Sequence, residues 1–244
     1  MTVKTAARVL DLFEHFAETQ QPLTLSELAS ALSIPVSSCF ALINTLRERG
    51  YLYSLRDHKS LYPTRRLLDV ARRSAEHDPV LQSIRPILAR LGEATRETIV
   101  LSGRYGDEIT YLDICESSNS VRYHAEVGET RPLYRSSAGK AFLGAMSDEE
   151  LQTALARFRF ERVTPATLTS AKALRADLEK SRQRGWFYNA GESVEDLGGI
   201  AVTIELAGER YGLSVVGPLY RIEQHLEKCT QALLKAQRQL QRES

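Results

Sequence analysis

The sequence predicts an α+β protein in which an N-terminal winged helix-turn-helix is followed by a linker helix and a C-terminal domain with an antiparallel sheet. Three observations lead to this prediction. Helical segments and a hairpin pattern occupy residues 1–63, a charged helical stretch covers 64–78, and strand and helix patterns mix over 79–244. We therefore expect two domains joined by a helix, with the second domain beginning at Pro79.

The composition is that of an ordinary globular protein. Its 244 residues suffice for two domains, and the formal net charge of +1 means that any contact with nucleic acid must come from local clusters. Cys39, Cys115 and Cys229 are too widely spaced for a disulfide framework or a CxxC clip, so we expect no metal and no other cofactor. The chain lacks a leader-like apolar start and any apolar run of roughly 20 residues, which predicts a cytoplasmic protein without membrane contact.

The first 50 residues carry the pattern of a helix-turn-helix. Apolar residues at helical spacing predict a helix over 6–17. Thr24 and Glu27 form a capping box that opens the next helix. A further helix begins after Pro35 and ends before Gly50, which suits the left-handed position beyond a helix. Two alternating segments, residues 51–55 and 60–63, then predict a hairpin with a basic tip, and such a hairpin directly after a helix-turn-helix is a wing.

The helix after Pro35 has the residues expected of a helix that enters the major groove of DNA. Ser37 and Ser38 are short and polar, as phosphate contact requires near the helix start. Asn44 can bond adenine through two hydrogen bonds, and Ala41 can touch a thymine methyl group. Phe40 either makes a similar contact or packs against the wing, and the alternative for the polar residues is a solvated surface. The predicted DNA-binding residues are Ser26, Ser37, Ser38, Phe40, Ala41, Asn44, Thr45, Arg56, His58 and Lys59.

The C-terminal region mixes helices and strands. Helices are predicted over 80–95, 137–146, 148–156 and 169–184, with a last amphipathic helix from Ile222 to Leu240. Pro86 predicts a kink in the first of these or a later start. Strands are predicted over 98–102, 109–114, 186–188, 199–205 and 211–216.

The segment from Ser136 to Lys140 raises the question of enzymatic activity. A phosphate-binding P-loop is excluded because Tyr134 and Ala141 stand where that motif needs Gly and Ser or Thr. A Ser-Lys nucleophile fits the spacing, but a Ser before a helix is more often a cap and a Lys more often a solvated charge. Backbone N–H groups at Ser137 and Ala138 would instead favour a bound carboxylate. His77 and His124 are isolated, which favours structural or exposed roles over metal ligation.

Six motifs are spread over nearly the whole chain: Leu25–Ala29, Ile34–Ser38, Thr45–Leu52, Gly128–Leu143, Asn189–Ile204 and Ser214–Pro218. Together they resemble those of the IclR family of bacterial regulators. The resemblance implies a GAF-like C-terminal domain that binds small organic or aromatic acids as effectors, with Tyr134 replacing a usual His. The family often has Arg where Ala41 stands, an acidic residue where Asn189 stands and Cys where Gly199 stands, so base readout and effector preference are expected to differ.

The resemblance also implies a pocket and an assembly. We expect a homodimer formed through the N-terminal half, or a dimer of such dimers, on a pseudo-palindromic double-stranded operator. The expected effector-binding residues are Ser137, Ala138, Asn189, Leu197, Gly199, Ser214 and Val216.

The resulting hypothesis is a transcriptional regulator, with repression as the default, whose operator affinity changes when a small acid binds. Two alternatives from other classes stay open. One is an enzyme that acts on a small acid in the C-terminal pocket, although no pair of base and nucleophile supports it. The other is a DNA-binding module without an effector.

Overall fold

The computed structural model describes residues 3–56, 59–76 and 78–243. The internal contacts divide the chain into two compact units, Met1–Asp78 and Pro79–Ser244. The α+β class predicted from the sequence is confirmed, since each unit combines helices with an antiparallel sheet.

The first unit is a helix-turn-helix with a small three-stranded sheet, whose strand order is β1-β3-β2. The predicted helices and hairpin are confirmed. The strand Leu23–Thr24 was missed because two residues carry no alternation to detect. In chain order the elements are α1 (Lys4–Thr19), β1 (Leu23–Thr24), α2 (Leu25–Ala31), α3 (Val36–Glu48), β2 (Leu52–Ser54), β3 (Ser60–Pro63) and α4 (Arg66–Glu76).

Local interactions fix the angle between α2 and α3. The predicted capping box is present: the Glu27 amide donates to Thr24 Oγ1 at 3.3 Å, and the Thr24 amide donates to Glu27 Oε2 at 2.7 Å. These hydrogen bonds hold the pKa of Glu27 below its ordinary value. Ser33 makes the tight turn with a φ of 50°, and Gly50 follows α3 with a φ of 75°. Buried side chains from both helices, including Leu28 and Leu42, complete the core.

The second unit is built on a six-stranded antiparallel sheet with the order β6-β5-β4-β9-β8-β7. In chain order its elements are α5 (Pro79–Thr95), β4 (Thr98–Tyr105), β5 (Glu108–Cys115), β6 (Thr130–Pro132), a 3-10 turn (Leu133–Arg135), α6 (Ser137–Gly144), α7 (Asp148–Arg157), α8 (Ala171–Arg184), β7 (Phe187–Ala190), β8 (Leu197–Leu206), β9 (Glu209–Pro218), α9 (Leu219–Gln224) and α10 (Leu226–Glu243).

Helices cover both faces of this sheet. Ile99 and Leu101 of β4 point to one face, where they join a core with residues of α5 and α10. Val100, between them, points to the other face, where α6, α7 and α8 supply the opposing apolar side chains. The period of two along the strand therefore places alternate residues in two separate cores. The start of α6 lies on the second face, at one end of β8 and β9.

Several sequence predictions for this unit need correction. Of the two alternatives predicted at Pro86, the later start is wrong, because α5 begins at Pro79 and runs through Pro86, and the kink stays a prediction. Pro86 lies on the exposed surface of this helix. The last predicted helix is broken at His225 into α9 and α10. The sequence did not reveal the break, because the apolar spacing is compatible both with a continuous helix and with a one-residue break. The strand β6 was not predicted.

In the part of the chain that the structure describes, no single helix has both the length and the apolar character to span a bilayer; the bent pair of α2 and α3 meets those criteria only when the two are joined. No group of three or more His, Cys, Asp or Glu residues within those same ranges is arranged to hold a metal ion.

Candidate functional sites

The residues predicted for DNA contact lie on the outer face of α3. Ser37, Ser38 and Ala41 are exposed, whereas Cys39 and Leu42 on the opposite face are buried in the core. The helix therefore anchors itself with one face and presents short side chains on the other, as a helix in a DNA groove must.

Three further residues of α3 differ in what they offer. Phe40 is 53% exposed, which favours the solvent-facing alternative over packing against the hairpin. Asn44 is half-buried, and its side chain makes no hydrogen bond to any of the residues that the structure describes. Thr45 Oγ1 donates to the carbonyl of Ala41 at 3.0 Å, so its hydroxyl is left to accept rather than donate.

The remaining predicted contacts lie on neighbouring elements. Ser26 is exposed in the first turn of α2, and Arg56 and Lys59 are exposed between β2 and β3. His58 lies outside the described residues, as does His77.

A groove between α1 and α3 adds residues that the sequence analysis missed. Its volume is about 370 Å³, and it brings Thr5 and Arg8 of α1 beside Ser38, Ala41 and Thr45. Arg8 thus places a guanidinium next to the predicted contact surface. The signal in the sequence is a basic residue one turn into an amphipathic helix, which alone does not indicate a partner.

The second site is a small cavity between the start of α6 and the sheet, with a volume of about 30 Å³. It gathers five of the seven residues predicted to bind an effector. The lining residues are Tyr111, Tyr123, Arg131, Ser136, Ser137, Asn189, Ser193, Leu197, Gly199 and Val216.

Ala138 and Ser214, the other two predicted residues, do not line this cavity. Ala138 is buried against the sheet, close to Gly212 of β9. A Cβ placed on Gly212 would lie 3.1 Å from the Cβ of Ala138. Ser214 lies two residues before Val216 in β9, where it is paired with Val100 and Ala201 and is buried. Its Oγ is buried and has no hydrogen-bond partner among the residues described.

The start of α6 is shaped by Ser136 and Gly139. Ser136 Oγ accepts from the Gly139 amide at 3.1 Å and donates to the Pro132 carbonyl at 3.1 Å, so the predicted cap is confirmed. A Cβ on Gly139 would lie 2.3 Å from the Leu133 carbonyl oxygen, which leaves room only for glycine. The amides of Ser137 and Ala138 belong to the first turn, where an α-helix supplies no carbonyl to accept from them.

Gly199 of β8 lets Ser137 reach the cavity. A Cβ at position 199 would lie 2.9 Å from Ser137 Oγ, a closer approach than real Cβ atoms make. Any larger residue at this position would have to displace the hydroxyl. Gly199 and Ser137 thus form one wall together.

Arg131 and two tyrosines form the opposite wall. The Arg131 guanidinium pairs with Glu129, lies 5.6 Å from the centre of the Tyr111 ring and donates to the Tyr123 hydroxyl at 3.4 Å. The hydroxyls of Tyr111 and Tyr123 are 3.2 Å apart. Burial raises the pKa of Tyr111 well above its ordinary value, so this phenol stays neutral and remains able to donate.

Asn189 lines the cavity, but its side chain is used to organise the loop after β7. Nδ2 donates to the Arg135 carbonyl at 2.6 Å and to Ser193 Oγ at 3.3 Å, and Oδ1 accepts from the Glu192 amide at 2.9 Å. An aspartate here would lack the two N–H donors. Asn189 therefore holds the shape of the wall and keeps it free of negative charge.

Lys140 was expected to be a solvated charge, and this is wrong. Its side chain has no exposed surface, and Nζ donates to Glu192 Oε1 at 2.7 Å and to Asp177 Oδ2 at 2.9 Å. Burial raises the pKa of Glu192, and this outweighs the opposing effect of Lys140. The cluster of Lys140, Asp177 and Glu192 thus holds α6, α8 and the loop after β7 together behind the cavity.

Two family models match the chain. Residues 5–56 match the IclR helix-turn-helix domain, and residues 73–242 match the C-terminal region of the bacterial transcriptional regulator IclR. The chain belongs to the IclR family. It is therefore a transcriptional regulator whose helix-turn-helix binds DNA.

Individual members of the IclR family resemble this chain over most of its length. The HTH-type transcriptional regulator BhcR of Paracoccus denitrificans is 32% identical, covering 98% of this chain and 86% of that protein. The transcriptional repressor IclR of Escherichia coli is 28% identical, covering 90% and 82%. Both names describe regulators of transcription.

Solved structures share the fold of this IclR-family chain. An IclR transcriptional regulator from Alicyclobacillus acidocaldarius, 19% identical, superposes with a TM-score of 0.81 over 99% of this chain and 98% of its own. An IclR homologue from Microbacterium hydrocarbonoxydans, complexed with 4-hydroxybenzoate, is 25% identical with a TM-score of 0.77, over 98% and 100%.

Sequence reasoning missed half of the cavity in this IclR-family member. Tyr111, Tyr123 and Arg131 come from β5, β6 and the segment between them. Arg131 stands inside the Gly128–Leu143 motif, and its position beside Pro132 at the end of a strand is the signal that could have indicated it. The tyrosines carry no such signal, because only the pairing of β5 with β6 brings them to the site.

Proposed function

We propose that this IclR-family regulator represses transcription and that a small organic or aromatic acid, bound at the start of α6, alters its affinity for operator DNA. Residues 1–63 would contact DNA, 79–244 would hold the acid, and 64–78 would link them. The proposal includes a homodimer formed through the N-terminal half, or a dimer of such dimers, on half-sites about one helical turn apart.

The observation that carries the proposal is the convergence of donors on one cavity. Arg131, which also pairs with Glu129, supplies a guanidinium, Ser137 supplies an amide at the positive end of α6, and Tyr111 supplies a neutral phenol. Each of these groups prefers an anionic oxygen as its partner. The 4-hydroxybenzoate held by the Microbacterium homologue supports an acid as the ligand class.

We also propose that the chain binds its acid without chemical conversion. The Ser136 hydroxyl is occupied by the Gly139 amide and the Pro132 carbonyl, and the Lys140 ammonium is enclosed by two carboxylates. A Ser-Lys nucleophile needs the lysine to accept the serine proton. The paired Lys140 does not support that role, and unchanged acid recovered after long incubation would agree.

The test is binding of the purified chain to DNA upstream of its own gene, followed by fluorescence anisotropy at about 0.15 M salt. A panel of organic and aromatic acids is added to the complex. We expect competitor-resistant binding that one acid alters by roughly five- to 150-fold, the range that ordinary coupling energies produce.

Arg131→Gln separates the acid site from the DNA surface. Its affinity for DNA without acid should match that of the native chain, whereas the response to acid should fall by at least about tenfold because the charge-assisted contact is lost. Arg104→Gln, at an exposed arginine of β4 outside the cavity, is the matched control. Equal acid responses in the two variants would contradict the assignment, and DNA binding that no acid alters would favour an effector-independent module.

A further inference from the structure

We propose that the effector is a monocarboxylic acid longer than the cavity, whose apolar body passes Tyr123 and Leu197 into an adjoining surface groove. The proposal rests on the function proposed above and specifies its ligand class. It predicts that the far end of the ligand is uncharged.

The size of the cavity limits what it can hold. The cavity of about 30 Å³ has room for about two water molecules, since one water needs roughly 10–15 Å³ measured in the same way. A carboxylate with even a short hydrocarbon body does not fit in that space, because sites for such ligands usually occupy hundreds of cubic ångströms. The ligand must therefore extend beyond the present walls.

The site can extend into a neighbouring groove. A groove of about 550 Å³ lies next to the cavity, and Tyr123 and Leu197 line both. The other apolar walls of the groove include three strongly exposed side chains, Val121, Val194 and Tyr220, at 63%, 57% and 62%. Apolar surface gathered around one concavity is typical of a binding site.

Tyr123 separates the cavity from the groove. The Tyr123 hydroxyl is held by contacts of 3.2 Å to Tyr111 and 3.4 Å to Arg131, which are long for hydrogen bonds. Its carbonyl accepts from Thr98 Oγ1 at 2.8 Å, so the backbone stays anchored to β4. A carboxylate that draws Arg131 toward itself removes one of the two contacts on the ring. The Tyr123 side chain can then rotate without moving the sheet.

The charge of the groove restricts what the far end of the ligand can carry. Asp196 and Glu223 line it, and Glu116 binds the two basic side chains at its rim, Arg122 at 3.3 Å and His124 at 2.6 Å. Glu116 thus compensates the Arg122 guanidinium, while the carboxylates of Asp196 and Glu223 remain. A second anionic group would be repelled there. A hydrocarbon chain or an aromatic ring suits the apolar walls and meets no such penalty.

The test is calorimetric titration of the full chain with straight-chain acids from butanoate to decanoate and with ω-phenylalkanoates. Affinity should rise roughly fourfold for each methylene that enters the groove, the factor that burial of one methylene produces. Dicarboxylates of equal length should bind more weakly. Val194→Asp should abolish the gain with chain length, because it places a carboxylate on the apolar wall of the groove.

Val127→Asp is the matched control, because Val127 is 63% exposed and does not line the groove. It should keep the native dependence on chain length. Short acids that bind as well as long ones, or a length dependence that survives in Val194→Asp, would overturn the groove proposal and leave the acid site standing. If no acid of any length binds, the proposed function itself fails.

Discussion

A lysine without exposed surface needs its charge neutralised where it lies, and Lys140 meets this need with Asp177 and Glu192. Replacing it by methionine, a side chain of similar length, leaves two carboxylates without their cation. We expect Lys140→Met to lower the free energy of unfolding by about 3 kcal/mol, because breaking a buried pair leaves an uncompensated charge.

The free energy of unfolding is measured by urea denaturation. The fluorescence of Trp186, the only tryptophan of the sequence, reports on the second unit. Lys172→Met replaces an exposed lysine of α8 and should change stability little. A Lys140→Met variant as stable as this control would show that the cluster contributes nothing.

Glu192 makes the same cluster sensitive to pH. Its pKa in the folded chain is raised above the ordinary value of 4.5 by burial, so as pH rises the unfolded chain loses this proton first. The folded state then binds more protons, and its stability falls as pH rises from about 4.5 through the folded-state pKa.

Glu192→Gln keeps the shape of the side chain and removes the titration. We expect the native chain to lose stability relative to this variant as pH rises above about 4.5, in urea unfolding followed through Trp186. Glu195→Gln, at an exposed glutamate of the same loop, should run parallel to the native chain. A native chain that gains stability over Glu192→Gln across this range would contradict the assigned direction.

The cluster also shows which residues sequence reasoning misses. Ser136 was correctly predicted as a cap because its partner, Gly139, lies three residues away. Lys140 was placed in solvent because its partners lie 37 and 52 residues away. Helical periodicity reveals the contact between Ser136 and Gly139, because both lie in one helical turn. It carries no information about the distant partners of Lys140.

At the scale of the element, α3 carries the prediction about DNA. Asn44 is the residue of this helix suited to reading a base, whereas Ser37 near its start is suited to phosphate. Asn44→Ala should weaken operator binding by roughly five- to 150-fold and leave binding to random DNA nearly unchanged, as loss of a bidentate base contact predicts.

Ser37→Ala should instead lower the affinity of the chain for operator DNA and for random DNA by the same factor. Both affinities are measured by anisotropy at one salt concentration. Asn119→Ala, an asparagine of the second unit, is the matched control for Asn44→Ala. Equal losses on operator and random DNA for Asn44→Ala would show that this residue does not read sequence.

Elements whose boundaries are set by neighbouring residues could be predicted from the sequence. The capping boxes at Thr24 and Ser147 mark the starts of α2 and α7 through contacts within three residues. The three-residue strand β6 and the break at His225 depend instead on packing against the sheet. Tertiary contacts decide such features, and a short or unbroken apolar pattern does not reveal them.

At the scale of the whole molecule, the sheet order decides what the cavity contains. The strand β6 pairs with β5 at one edge, and β8 pairs with β7 near the other. The family resemblance named the wall from Asn189 to Val216, because that wall lies in recognisable motifs. The wall of Tyr111, Tyr123 and Arg131 depends on strand pairing between distant segments, which the sequence alone did not specify.

In this regulator, binding of the acid to the second unit is coupled to binding of DNA by the first. Thermodynamic linkage requires that the acid change DNA affinity by the same factor as DNA changes acid affinity. The most direct measurement is therefore the dissociation constant of the complex with upstream DNA, by anisotropy, with and without a saturating acid. The account predicts a shift of roughly five- to 150-fold, matched when the acid is titrated with and without DNA. An acid that binds the chain tightly and leaves its DNA affinity unchanged would contradict it.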